Sequence, residues 1–77
     1  MRDLLDYLVR ELVDEPDAVQ IEEAEDDRGV VYTLRVGSDD MGKVIGRGGR
    51  TARAIRTVMK AAGTRAGIHH TSVEIVD

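Results

Sequence analysis

Between Asp3 and Val13 the apolar residues Leu5, Leu8, Val9 and Leu12 recur at i, i+3, i+4 and i+7, the stripe of an amphipathic helix. Pro16 biases Glu15 away from helical backbone, so this helix is expected to end near Asp14. The stretch AVQIEEAED then alternates loosely, with Val19, Ile21 and Glu23 on one side and Gln20 and Glu22 on the other. It predicts a strand whose charges suit a sheet edge, where they discourage stray pairing. DDRG supplies turn chemistry. VVYTLRVG, β-branched and aromatic from Val30 to Val36, carries the strongest strand signal in the chain. The two strands and their short turn make a hairpin.

After Gly37, SDDMGKVIG predicts a short helix. Ser38 is its expected N-cap, Asp39 and Asp40 lie at its positive end, and Gly46 is the expected left-handed residue that stops it. A second helix is expected from Arg50 to about Ala62, apolar on Ile55, Val58, Met59 and Ala62 and basic on Arg53, Arg56 and Lys60. Gly63 and Gly67 are expected to break it. TSVEIV closes the chain as a strand, with Val73 and Ile75 sharing a face. The order is α-β-β-α-α-β. If strands two and three are parallel neighbours, their crossover lays both helices on one sheet face, which the first helix can also cover. The predicted fold class is therefore α+β: a three-stranded mixed sheet covered on one face by three helices.

Seventy-seven residues suit a single domain over residues 1–77. A chain of this size buries only about 60–65% of the surface its unfolded form exposes, so its core is thin and a second subunit would stabilise it. Cysteine is absent, which excludes disulfides, thiolate metal sites and thiol nucleophiles and fits a cytoplasmic location. Acids interrupt the apolar stretch of MRDLLDYLVRELVDE, so neither a signal peptide nor a membrane span is expected there.

The net charge of −4 argues against nucleic acid, but its distribution argues for it. Residues 1–40 hold 13 acids and 4 bases, a sum of −9; residues 41–77 hold 7 bases and 2 acids, a sum of +5. Met41 to Val73 contains no acid at all. Such segregation is expected when one face meets an anion and the rest maintains solubility. The densest positive charge falls in VIGRGGRTARAI, where Gly46 to Gly49 join one helix to the next. Free amides and the dipole at the second helix's N-terminus, approached through glycines that lack Cβ, could seat a phosphate. Arg47 would add a full charge. Arg50 and Arg53 occupy a first turn where positive charge is disfavoured by roughly 0.3–1 kcal/mol. Glycines are also ordinary tight-turn residues, and an arginine stripe opposite an apolar face is commonly just solvated. The residues alone leave both readings open.

VIGRGG followed by RTARAI resembles the I-G-x-x-G signature of KH domains, and the order α-β-β-α-α-β is that of the type II, bacterial KH fold. The resemblance covers the whole chain, and the length and opening helix are similar to those of the KhpA family of small stand-alone bacterial KH proteins. It implies a single-stranded RNA-binding protein, an RNA chaperone, whose G-x-x-G loop clamps the backbone of about four nucleotides. Carried over, Gly46, Arg47, Gly48 and Gly49 form the clamp. Lys43, Val44 and Ile45 line the groove from the first helix of the pair, Arg50 and Arg53 from the second, and Val73 or its neighbours form the other wall. A KhpB-type KH-containing partner and a homodimer are implied in the same way. One departure is Ala52, where many members carry a larger aliphatic residue; Ile55 and Met59 are available to fill beneath it.

Other chemistries find little support. Aromatic stacking of the kind used by RNA-recognition motifs and OB-folds is disfavoured, since Phe and Trp are absent and Tyr7 and Tyr32 lie far from the loop in sequence. His69 and His70 are adjacent and would point to opposite faces of a strand, so no metal is expected. The acidic run Glu22 to Asp27 lacks the alternation of a calcium loop, and neither G-x-x-x-x-G-K-[ST] nor G-x-G-x-x-G is present. No nucleophile pattern stands out. The expectation is a non-enzyme without cofactors. A KH-like protein-interaction module with little RNA affinity of its own is the alternative.

Overall fold

The computed structural model describes all residues from Met1 to Asp77. Helix α1 spans Arg2–Arg10, strand β1 Gln20–Glu25, strand β2 Gly29–Arg35, helix α2 Met41–Ile45, helix α3 Arg50–Arg65 and strand β3 His70–Val76. Single 3-10 turns at Pro16–Ala18, Ser38–Asp40 and Arg47–Gly49 complete the path. β2 is central. β1 runs antiparallel to it, with Ile21 opposite Leu34, and β3 runs parallel to it, with Tyr32 beside Val73. The expected α+β fold, a mixed three-stranded sheet with three helices, is the one observed.

Strand alternation sends Ile21, Val30, Tyr32, Leu34 and Val73 to one face of the sheet, where they meet Leu5 and Val9 of α1, Val44 of α2, and Ile55 and Met59 of α3. β1 lies at an edge, as its charges foretold, and Glu23 stays exposed although it shares a strand side with Ile21. Asp26 closes the hairpin by accepting the amides of Arg28 (2.8 Å) and Gly29 (3.1 Å) on Oδ1.

Three local expectations fail for identifiable reasons. Helix α1 ends at Arg10 rather than near Asp14. The amides of Asp14 and Glu15 turn away to the carboxylate of Asp40, at 3.1 and 3.0 Å. Ser38 does not cap the entry to α2 but opens a 3-10 turn after Gly37, and Asp40, engaged by those two amides, is not a solvated dipole acid. Its side chain is buried, with 1% of the residue exposed. The Asp14 amide, helped by that of Glu15 and by Lys43, holds its carboxyl below the ordinary aspartate pKa of 3.8 against the opposing effect of burial.

The third failure concerns α3. Gly63 does not break the helix, which continues to Arg65. A Cβ at Gly63 would lie 2.1 Å from Oγ1 of Thr71, so glycine lets α3 ride close on β3. The Thr71 hydroxyl is buried there without a hydrogen-bond partner. The helix stops where Ile68 donates to the Gly63 carbonyl (2.8 Å) and Gly67 to that of Thr64 (3.1 Å), a Schellman motif with Gly67 at φ 79°. The buried face of α3 is accordingly Ala52, Ile55, Met59 and Gly63. Val58, one residue and about 100° around the helix from Met59, is 41% exposed.

Gly63→Ala should lower stability by about 1–3 kcal/mol through overpacking against Thr71. Thermal melting of the single variants and of Gly63→Ala/Thr71→Ala checks it, the double variant recovering part of the loss. The Asp40 carboxylate, its pKa depressed by folding, contributes stability that is present above its unfolded value and lost as pH falls through the folded one. Asp40→Ala should therefore melt below wild type at neutral pH, and that gap should narrow on acidification below about pH 4. Asp39→Ala, at an exposed position, should leave melting unchanged at neutral pH.

Candidate nucleic-acid interface

The chain leaves α2 at Gly46 with φ 77° and ψ 172°, passes through one turn at Arg47–Gly49, and enters α3 at Arg50. The glycines divide the work of this corner. Gly46, expected to be left-handed, instead takes a mirror-extended conformation that a side chain would oppose. Its Cα abuts Thr51, and a Cβ there would come within 2.8 Å of the Thr51 amide nitrogen. The left-handed residues are Gly48 (φ 66°, ψ 18°) and Gly49 (φ 78°, ψ 12°). Nothing lies within 4 Å of the place a Cβ would take at either. One hydrogen bond, from the Gly49 amide to the Gly46 carbonyl at 3.2 Å, braces the turn. The corner is tight on its inner side and bare on its outer side.

Helix α3 starts from this bare side without a side-chain cap and without an acid in its first turn. Its leading amides carry the partial positive charge of a helix N-terminus. Arg47, Arg50 and Arg53 are all exposed around it, and none is in an ion pair. Elsewhere Arg10 pairs with Asp6 at 3.0 Å and Arg35 with Glu22 at 4.0 Å. Backbone donors, three uncompensated guanidinium groups and room for close approach converge on one loop. That arrangement can hold an anion.

The remaining expected groove residues are placed differently. Ile45 is half-buried beside the loop. Val44 is fully buried in the core and supports α2 from beneath rather than lining a surface. Lys43 reaches Asp14 and lies 3.6 Å from Asp40. The hydrogen bond to Asp14 and the field of both acids hold its ammonium above the ordinary lysine pKa. It is a strut between the exit of α1 and the start of α2. Val73 is no groove wall either; its side chain is in the core, and its carbonyl accepts a hydrogen bond from Nε of Arg56 at 3.1 Å. Ala52 is buried, with Ile55 and Met59 completing the packing below the loop.

Sequence reasoning missed the roles of Asp14, Asp40 and Thr51. It read Asp14 as the end of α1 and Asp40 as an acid at the positive end of α2, and only the meeting of two segments 26 residues apart gives Asp40 its partners. Thr51, next to a glycine corner, carried no signal of its own.

Residues 2–75 match the KhpA/KhpB KH domain family. The RNA-binding protein KhpA of Streptomyces coelicolor is 49% identical over 77 residues, which cover 100% of this chain and 92% of that one. The RNA-binding protein KhpA of Clostridium acetobutylicum is 48% identical over 65 residues, 84% of this chain and 87% of its own length. That of Chlamydia caviae is 39% identical over 77 residues, covering 100% and 97%. This is a non-enzymatic family, in agreement with a sequence that offers no nucleophile pattern. With the fold, the helix–glycine corner–helix unit and these similarities in agreement, the chain belongs to the KhpA/KhpB KH-domain family.

Proposed function

We propose that this chain binds single-stranded RNA by seating the sugar–phosphate backbone on Gly46, Arg47, Gly48 and Gly49. Ile45, Arg50 and Arg53 border the seat, and Lys43 and Val44 set its position from behind. The observation that carries the reading is the pair of open left-handed glycines at an uncapped helix N-terminus among unpaired arginines. The relatives named RNA-binding protein KhpA support RNA as the ligand. Backbone contacts of this kind position a strand without reading its bases, so recognition is tolerant of sequence, as suits an RNA chaperone.

The pairing of KhpA with KhpB in the family description supports a KhpB-type KH-containing partner. Exposed Tyr7 on α1, Leu12 in the turn after it and Val58 on α3 support contact with a second subunit, either that partner or another copy of this chain. These apolar positions also favour the second reading, a protein-interaction module whose loop adds little affinity. A cytoplasmic setting accords with the cysteine-free composition, and no helix is long and apolar enough to cross a membrane.

Arg47→Asp/Gly48→Asp should abolish retention of single-stranded RNA while circular dichroism and oligomeric state stay as in wild type. The open space at Gly48 admits the side chain, and its left-handed backbone costs aspartate about 1–2 kcal/mol at most. Retention that survives the change would remove the clamp and favour the interaction module. With about three to five phosphates neutralised, log affinity should fall with log salt at a slope of about −2 to −3.5, measured by fluorescence anisotropy. A flat salt dependence would contradict a backbone-led mechanism.

A further inference from the structure

The basic flank of α3 continues well beyond the loop. Arg53, Arg56 and Lys60 follow Arg50 at spacings that keep them on one side of the helix. With a rise of about 1.5 Å per residue, the row from Arg50 to Lys60 runs about 15 Å. None of these four is in an ion pair. Midway, Arg56 bridges to the Val73 carbonyl and closes the seam between α3 and β3.

At the far end of the row, Lys60 and Thr64 of α3 and His69, just before β3, line a surface depression floored by the edge of β3. The side chains of His70 and Ser72, alternating with the buried Thr71 and Val73, belong to the other sheet face. No acid lines it. The other main depressions on the molecule are of the opposite kind. Those around the β1–β2 hairpin contain Asp26, Asp27, Glu23 or Glu25, and the one beyond α1 contains Asp14, Glu15 and Asp17. A cation, an imidazole and the Thr64 hydroxyl, which donates to the Lys60 carbonyl (3.0 Å) and is left to accept, in a recess free of carboxylates suit a phosphate with its ribose, the repeating unit of the strand proposed for the loop.

We infer that single-stranded RNA long enough to pass the loop continues along the flank of α3 and seats a further phosphate on Lys60, with Thr64 and His69 beside its ribose. This rests on the RNA reading of the loop. A stacked strand advances about 3.4 Å per nucleotide, so the roughly 10 Å from Arg53, at the edge of the clamp, to Lys60 accommodates about three nucleotides beyond those at the clamp. The footprint is then about seven nucleotides, within the length of an octamer.

The test compares an oligouridylate tetramer with an octamer on wild type and Lys60→Gln, by titration at several salt concentrations. An octamer offers a four-nucleotide site about five registers and gains affinity statistically, so the salt slope is the deciding quantity. On wild type the octamer slope should be steeper than the tetramer slope by about 0.7 or more, one additional phosphate. Lys60→Gln should remove about 0.7 of the octamer slope and leave tetramer affinity within about twofold of wild type. The amide resonances of Lys60, Thr64 and His69 should shift with octamer and stay still with tetramer. An octamer slope unaffected by Lys60→Gln, or equal losses for both oligomers, would overturn the second seat while leaving the loop reading intact. Binding of neither oligomer to wild type would overturn both.

Discussion

The register from Gly29–His70 to Arg35–Val76 holds β2 and β3 side by side and parallel. Parallel neighbours cannot be joined by a hairpin, because the chain must travel back along the sheet before it can pair again. Here the return run is α3, whose 16 residues cover about 24 Å, close to the roughly 23 Å of a seven-residue strand. What remains between the end of β2 and the start of α3 must turn the chain around. The 3-10 turn at Ser38–Asp40, the five residues of α2 and the glycine corner do this above a buried Val44. A reversal this abrupt requires backbone conformations closed to most side chains, which Gly46, Gly48 and Gly49 supply. The position of the bare corner is thus a consequence of strand pairing, and so is that of the proposed anion seat.

Charge then decides what such a corner attracts. The acidic half of the chain pairs its own Arg10 and Arg35, and it also captures Lys43 from the basic half. The guanidinium groups of Arg47, Arg50 and Arg53 have no such partner, and two of them stand where the helix dipole already concentrates positive charge. An anion from outside would relieve their mutual repulsion. The acids of α1 and the hairpin would repel the same anion, so the proposed polyanionic strand would be oriented toward the loop as well as attracted to it.

Periodicity made most of the fold legible. Alternation in VVYTLRV marked the central strand, and the i, i+3, i+4 pattern marked α1, because both signals report a face buried on the sheet. The failures cluster where one segment answers to another distant in sequence. Gly63 reads as a helix breaker until Thr71 is placed against it; Val58 reads as core until the sheet sets which side of α3 is covered. Asp40 obeys the dipole rule on paper, yet its carboxylate serves the backbone of residues 14 and 15. At the candidate site the loop residues and Arg50 and Arg53 were readable from glycine spacing and charge. The roles of Lys43, Val44 and Val73 were not, since side-chain direction on a five-residue helix or an edge strand depends on packing.

Lys43 and Asp40 also explain how so short a helix can present the loop in one orientation. A helix of five residues has no independent stability in water. One apolar residue of α2, Val44, is fully buried, which leaves rotation about that anchor weakly opposed. Asp40 supplies the second attachment by binding two amides of the segment after α1, and Lys43 spans Asp40 and Asp14 from the next turn of the same helix. Two polar ties and one apolar one fix a short rod in both tilt and rotation. The corner that follows inherits that fixed direction, while its outer amides remain uncovered. Rigidity behind the loop and openness in front of it are therefore properties of different residues, and a positive charge next to the signature need not belong to the binding surface.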